Sequence, residues 1–241
     1  MRAETNYRDY DKVLVAGGTG PTGRLIVERL MMLGIATRVM SRAPERANLP
    51  REVEVVLADV LVEGDCQRAV VGCDAVIACL SQGRKSINRR TSTVHCEGMF
   101  NLVHAAVSGR APRFVLVSSL GVGDSWKWMP RSAKVLLHAV GMVPLLKVQF
   151  HSEEALNASN LAGTILRAGI QTSGEMRTEP LVTLDGHALG LTSRQAVADT
   201  AVRSLRSVST IRRTLMVIDR DRVRWTYDVV PFPFNEPWVA W

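Results

Sequence analysis

Seven residues, GGTGPTG at 17–23, directly follow the apolar run Val13-Leu14-Val15. Glycines at this spacing leave backbone amides uncovered, and amides that open a helix attract anions with the helix dipole behind them. The ligand this predicts is a dinucleotide pyrophosphate. In that reading Gly17 permits a tight turn, Gly20 lets the backbone reach the phosphates, and Gly23 lets the helix pack closely. Thr19 and Thr22 add hydroxyls, and Pro21, which has no amide to give, suits a first helical turn.

The residues that follow narrow the ligand. A cofactor with a free ribose 2′-OH calls for an Asp or Glu at the end of the second strand. Here that strand ends Val39-Met40-Ser41-Arg42, with Arg46 one turn on. No carboxylate repels a 2′-phosphate, and guanidinium groups offer it charge-assisted, bidentate bonds. NADPH is therefore favoured over NADH; the alternative is that Arg42 and Arg46 are ordinary surface arginines.

These residues need a framework, and the pattern of apolar runs supplies one. Strands are expected at 12–16, 36–40, 52–57, 75–80, 114–118, 162–167 and 214–218. Helices are expected at 22–33, 63–71, 91–108, 152–159 and 194–205, with Gly34 ending the first. The stretch 121–149, with Trp126, Trp128, Pro130 and Pro144, reads as an irregular crossover with some helix. A short apolar run follows at 181–184. Repeated β-α-β units with Val/Ile/Leu strands predict an α/β, doubly wound parallel sheet, Rossmann-like, with helices on both faces. The divisions are a polar N-terminal extension at 1–11, one nucleotide-binding domain at 12–220, and an aromatic, proline-rich arm at 221–241.

Composition excludes several classes. A length of 241 residues suits one large domain. No apolar run reaches the roughly 18–20 residues of a membrane span. The first twelve residues have neither a secretory signal's apolar stretch nor a transit peptide's lack of acids, so an intracellular, cytoplasmic setting is expected, with an organelle left open. The net charge of +7 comes from scattered residues rather than a stripe, which fits an anionic small ligand as well as or better than nucleic acid; the alternative is a plain solvated basic surface. Cys66, Cys73, Cys79 and Cys96 lack metal-site spacing, so reduced thiols and no metal are expected.

With these residues in view, the chain resembles the atypical short-chain dehydrogenase/reductases, and more narrowly the NAD(P)H-binding group with NmrA-like proteins and biliverdin reductase B/flavin reductase. The matching stretches are GGTGPTG (17–23), SRAPER (41–46), ADV (58–60), DAVIACLSQG (74–83), EGMFNLVHAA (97–106), RFVLVSS (113–119), EEALNASNLAGTILRAG (153–169) and VTLDG (182–186). The resemblance implies that Asp59 and Val60 flank the adenine and that Ala78, Cys79 and Leu80 pass beneath the ribose. It places Ser118 and Ser119 near the nicotinamide, with Arg167, Ala168, Gly169 and Ile170 closing over that ring's other side. Two departures stand out. The family's R-P-G is R-A-G here, at Arg167-Ala168-Gly169, and in the helix that begins near Ser152 the lysine expected shortly before the glutamate is absent, the nearest residues being Phe150 and His151. His151 either substitutes for it or is an exposed histidine at a helix start.

The remaining chemistry is defined partly by a missing pair. No tyrosine (Tyr7, Tyr10, Tyr227) is followed four residues later by lysine, so the Tyr-x-x-x-Lys route of alcohol dehydrogenation is unsupported. Hydride transfer to a flavin, quinone or similar planar acceptor needs no such acid; the protein orients two flat molecules, with Ser119 placed to bond the carboxamide or the acceptor. Trp126, Trp128, Met129 and Met142 are candidates to roof that site. The alternative is a non-catalytic NADPH-binding sensor or accessory subunit. The arm at 225–241 carries six of the 13 aromatics, which either wrap their own domain or anchor a protein partner.

Overall fold

Val13, Leu14, Val15 and Ala16 are all fully buried, the mark of a strand covered on both faces. This is β1 (Lys12–Ala16) in a computed structural model that describes residues 8–80, 93–184, 188–226, 229–234 and 238. Beside it lie β2 (Ala36–Ser41), β3 (Glu54–Leu57), β4 (Ala75–Ala78), β5 (Arg113–Ser119) and β6 (Ala162–Ala168). The chain adds β7 (Ile170–Thr172), β8 (Leu181–Thr183), β9 (Ala188–Ser193), β10 (Arg213–Ile218) and β11 (Val223–Thr226). The main sheet runs β3-β2-β1-β4-β5-β6-β10-β8, parallel throughout except where β8 pairs antiparallel with β10. The chain winds outward from β1 to β3, then returns to β4 on the other side of β1. Between β1 and β4 the order therefore reverses, and loops leaving the two strands diverge to form a crevice.

Strand alternation sends side chains to two cores. Val13, Val15, Ile77 and Val115 meet Ile26, Val27 and Leu30 of α1 (Pro21–Met32), whose spacing makes one helical stripe. Leu14, Ala16, Val76 and Phe114 face the opposite layer, with Cys66 and Val70 of α2 (Glu63–Val70) and Met99 and Leu102 of α3 (Met99–Ser108). Each such large side chain contributes about 1.5–3 kcal/mol on burial. At the start of β5, buried Arg113 donates to the carbonyls of Leu205 and Ser204, binding the sheet to the negative end of the last helix. Burial lowers its pKa to about 10.

The expected elements form with small shifts at their ends, and three regions differ. The stretch 121–149 is mostly helical: α4 (Ser125–Trp128), α5 (Arg131–Ala139) and α6 (Val143–Asn157). Its prolines mark helix starts rather than irregular chain, Pro130 at the N-cap of α5 and Pro144 in the first turn of α6, where a missing amide costs nothing. The helix expected at 152–159 is the end of α6. The described part of the helix expected at 91–108 begins with a π-helical turn, Val94–Gly98. Strands β7, β9 and β11 form a small second sheet, too short and polar to stand out in sequence. The last helix is α7 (Arg194–Arg206).

At the start of the expected arm, β11 pairs with β9. Farther along, Phe232 N–H donates to Val182 O at 2.7 Å, Phe232 and Phe234 pack on the core, and the Arg203 guanidinium lies 4.3 Å over the Phe234 ring. Tyr7, Tyr227, Trp241, Asp185 and Gly186, all used in the sequence reading, lie outside the described residues.

Candidate functional site: a dinucleotide cleft and an adjoining apolar hollow

The glycine loop sits at the switch point. Gly17 has φ +88°, and a Cβ there would lie 2.2 Å from Cys79 O. A Cβ on Gly23 would lie 2.1 Å from Gly17 O, and one on Gly18 would lie 2.7 Å from Val39. Loop, helix and the end of β4 thus meet at backbone distance, with the Val39 side chain of β2 packed against the loop. Gly20 N–H returns to Gly17 O at 3.0 Å, and the first bond of the helix is Arg24 N–H to Gly20 O. The amides of Thr22 and Gly23 come before that bond and open the positive end of the helix.

A cleft of about 200 Å³ lies above this loop. Gly17, Thr19, Gly20, Arg42, Asp59, Val60, Cys79 and Leu80 line it, together with Met40, Ser41, Ala58 and Val94. Eight of the residues picked from sequence and resemblance are therefore brought to one crevice. Ala78 is buried beneath it in β4. Pro21, Thr22 and Gly23 lie below as the first turn of α1, and the Thr22 hydroxyl donates to Gln171 Oε1 at 2.7 Å instead of entering the cleft. Arg46 stands away from the lining, exposed, 3.6 Å from Glu45. Asp59 shapes the turn as well as the wall: its Oδ1 accepts from Leu61 N–H at 3.1 Å, and its own amide donates to Asp65 at 2.9 Å. Burial pushes the Cys79 thiol up to about 12, so it lines the cleft as a neutral group.

Arg24 was missed by sequence reasoning. Its Nε donates to Thr19 O at 3.1 Å, and its other nitrogens donate to the carbonyls of Ala47 and Asn48. One side chain thus ties the glycine loop to the segment that carries Arg42. Its position directly after Gly23 is the only sequence signal it leaves. Val94 was also missed, because a π-helical turn has no distinct pattern.

The residues expected near the nicotinamide serve two purposes. Ser118 is buried and donates to Glu153 Oε1 at 2.6 Å. Arg167 contacts both Glu153 oxygens, at 3.0 Å from Nε and 2.6 Å from Nη2, and reaches Asp124 at 2.5 Å. Burial works against the Arg167 charge, but the bonds and charge of Glu153 outweigh it and raise its pKa. Asp124 is held low by Arg167 although its own partial burial opposes this. The Arg167 side chain is therefore a strut between β6, α6 and the loop after β5. Ala168 O accepts from Leu120 N–H at 2.7 Å. Gly169 has no room for a side chain: a Cβ would lie 2.5 Å from Gly190 O in β9.

Ser119 ends β5 half-buried, and the loop after it borders a second cavity of about 570 Å³. Gly121, Gly123, Trp126, His138, Val143, Leu146, Lys147, Phe150 and His151 line it. Of the expected roof, Trp126 is in this wall, Met129 is buried under Gly121, and Trp128 is exposed. His151 lies within α6 rather than at a helix start; it is exposed, 3.1 Å from Glu154.

A family model described as NAD(P)H-binding matches residues 17–207. The chain belongs to that NAD(P)H-binding family. The membership bears out the resemblance read from sequence, and the open glycine cradle fits such a cofactor. Among relatives, an uncharacterized chloroplastic protein of Arabidopsis thaliana is 33% identical over 205 residues, covering 80% of this chain and 71% of that one. The Arabidopsis chloroplastic protein TIC 62 is 28% identical over 68% of this chain, which spans only 28% of its length. Among solved structures, a Veillonella parvula short-chain dehydrogenase/reductase in complex with NADP has a TM-score of 0.74 at 18% identity, covering 93% of this chain and all of that one. An anaerobilin reductase, ChuY of Escherichia coli, has a TM-score of 0.69 at 18% identity, covering 87% and 98%. At these identities the structures establish the shared fold. No single helix among the described residues is long and apolar enough to cross a membrane.

Proposed function

We propose that the chain is an NADPH-dependent reductase that passes hydride to a planar acceptor such as a quinone or flavin. The observation that carries this reading is the apolar hollow just past the end of β5, one strand over from β4, whose end borders the glycine-loop cleft. NADPH, when bound, supplies the hydride. The amides opening α1 and the side chain of Arg42 would hold its phosphates, while Cys79, Leu80 and Asp59 would shape the walls around its ribose and adenine. Ser119, at the end of β5, would orient the carboxamide.

On the acceptor side, Trp126 and Phe150 give the hollow flat apolar surfaces, and Leu146 and Val143 keep water from its floor. His138 meets Trp126 edge-on at 5.9 Å, which fixes the indole plane. The chain has no Tyr-x-x-x-Lys pair, which suits an acceptor able to take its proton from solvent. A neighbour of the same fold that is an anaerobilin reductase fits a reductase reading.

The test is oxidation of NADPH by the purified chain in the presence of a soluble quinone or free flavin, followed by nicotinamide absorbance. Trp126→Ala should raise KM for the acceptor and leave NADPH affinity unchanged. NADPH binding without oxidation by any planar acceptor would make the chain a non-catalytic nucleotide binder.

A further inference from the structure

The helices that wall the hollow have an outer side that the reductase reading leaves without a role. Among the described residues α5 has none that is buried. Val135, Leu136 and Val140 are 68%, 55% and 48% exposed, and Trp128 just ahead of the helix is 44% exposed. Positions 135, 136 and 140 fall on one side of a helix, so the exposed apolar groups form a stripe rather than a scatter. A helix in a globular domain normally turns such a stripe inward. Here His138 faces the hollow and the aliphatic stripe faces solvent.

Along α4 and α5 the charges have one sign, the Asp124 carboxylate just ahead of α4 being tied to Arg167. Residues 125–151 contain Lys127, Arg131, Lys134 and Lys147 and no aspartate or glutamate. Lys127 lies 5.5 Å over the Trp128 ring and Lys134 lies 5.7 Å over Trp126, so cations and indoles sit side by side at the stripe's edge. α5 and α6 together are long and apolar enough to cross a membrane, yet they meet at 103°. An apolar pair bent this sharply can rest on a bilayer surface instead of threading it. Aliphatic groups directed outward, tryptophan at the boundary and lysines able to extend past it are what an interfacial helix requires.

We propose that α4 and α5 dock this protein on an anionic lipid bilayer, with Val135, Leu136 and Val140 entering the headgroup boundary and Lys127, Arg131 and Lys134 meeting lipid phosphates. The charge pattern selects the occupant: a protein surface would bring acceptors at fixed points, whereas cations that make no salt bridge among the described residues, spread around an apolar stripe, match a sheet of negative headgroups. In the docked pose α5, a helix about 10 Å across, is what separates the hollow from the lipid. Resting on the reductase reading above, the acceptor class is then a lipid-soluble planar molecule drawn from the bilayer, such as a long-chain quinone.

The experiment is flotation of the full chain with vesicles of phosphatidylcholine alone or mixed with phosphatidylglycerol. The protein should float with the mixed vesicles, be released by salt, and stay behind with phosphatidylcholine alone. Lys127→Gln and Lys134→Gln should each lower the partition coefficient roughly fivefold. The triple variant Val135→Ser, Leu136→Ser, Val140→Ser removes only exposed groups, should keep its circular dichroism, and should lose vesicle binding by on the order of tenfold or more. Equal flotation of the triple variant, or none of the wild type, overturns the docking and leaves the stripe to a protein partner.

A second readout separates the two readings. The triple variant should oxidise NADPH normally with a water-soluble short-chain quinone, and slowly with a long-chain quinone held in vesicles. Vesicle binding without turnover of either quinone would sink the acceptor assignment and leave the docking intact. Equal turnover of the vesicle-held quinone by variant and wild type would overturn delivery from the membrane.

Discussion

Changing Gly23 to alanine would ordinarily favour a helix, by about 1 kcal/mol at an interior position. The structure reverses that sign. The new methyl would lie 2.1 Å from Gly17 O and 2.8 Å from both Gly17 C and Gly18 Cα, all backbone atoms that no rotamer can move aside. Restoring ordinary contact requires roughly 1 Å of separation between helix and loop, and overpacking of this kind costs about 1–3 kcal/mol. The same shift carries the loop amides away from a bound pyrophosphate. Loss of even one charge-assisted bond, worth about 1.5–3 kcal/mol, weakens NADPH at least roughly tenfold. Gly64 is the matched control: it sits in α2, and its added Cβ would meet only Arg68 Nη1, at 3.5 Å. Gly64→Ala should leave NADPH affinity unchanged and raise stability by up to about 1 kcal/mol. Urea unfolding and calorimetric titration of both variants give the comparison. If Gly23→Ala were as stable as Gly64→Ala and bound NADPH like the wild type, the close-packed cradle would be refuted.

Other perturbations reach different parts of the account. Arg42→Ala should weaken NADPH by about 1.5–3 kcal/mol and hardly change NADH; equal losses by titration would remove the 2′-phosphate assignment. Arg167→Met leaves the Glu153 carboxylate buried without its cation, a loss of about 3–5 kcal/mol, and should lower Tm by on the order of 10 °C. A thermal melt unchanged from the wild type would deny the strut its role. Two buried groups give opposite pH responses. Burial lowers His95 from 6.5 to about 4, so its folded state binds fewer protons than the unfolded chain, and stability falls as pH drops through that window. Burial raises Asp199 from 3.8 to about 6 although Arg203 and Arg29 oppose it, so its folded state binds more protons, and stability rises as pH drops. Between about pH 7 and about pH 5, His95→Gln should gain about 2 kcal/mol relative to wild type and Asp199→Asn should lose about 1 kcal/mol. Urea unfolding at the two pH values should show these opposite signs; a loss for His95→Gln would contradict the first assignment, and a gain for Asp199→Asn the second.

The dinucleotide half of the site was legible because its signals are local. The glycines, the strand before them and Arg42 lie close together in sequence, and their types are dictated by backbone approach and charge. The acceptor half was much less so. Pro130 and Pro144 read as breaks in regular structure, yet each stands where a helix begins, and only the three-dimensional path shows which sense applies. The Arg167–Glu153–Ser118 cluster joins β6, α6 and β5, and no spacing rule links residues on separate elements. Thr22 finds Gln171 149 positions away, so its hydroxyl was assigned to phosphate for want of any sign of that partner. The short strands β7, β9 and β11 depend on one another for hydrogen bonds, and their sequences alone carry too little apolar pattern to declare them.

The most direct test of the reductase assignment is a single-turnover reaction in the absence of oxygen. The full chain, preloaded with NADPH, is mixed with a water-soluble quinone or flavin and nicotinamide absorbance is followed. The account predicts oxidation well above the protein-free rate, saturable in acceptor, and slowed by Trp126→Ala without loss of bound NADPH. Bound NADPH oxidised no faster than in buffer, whatever planar acceptor is supplied, would contradict it.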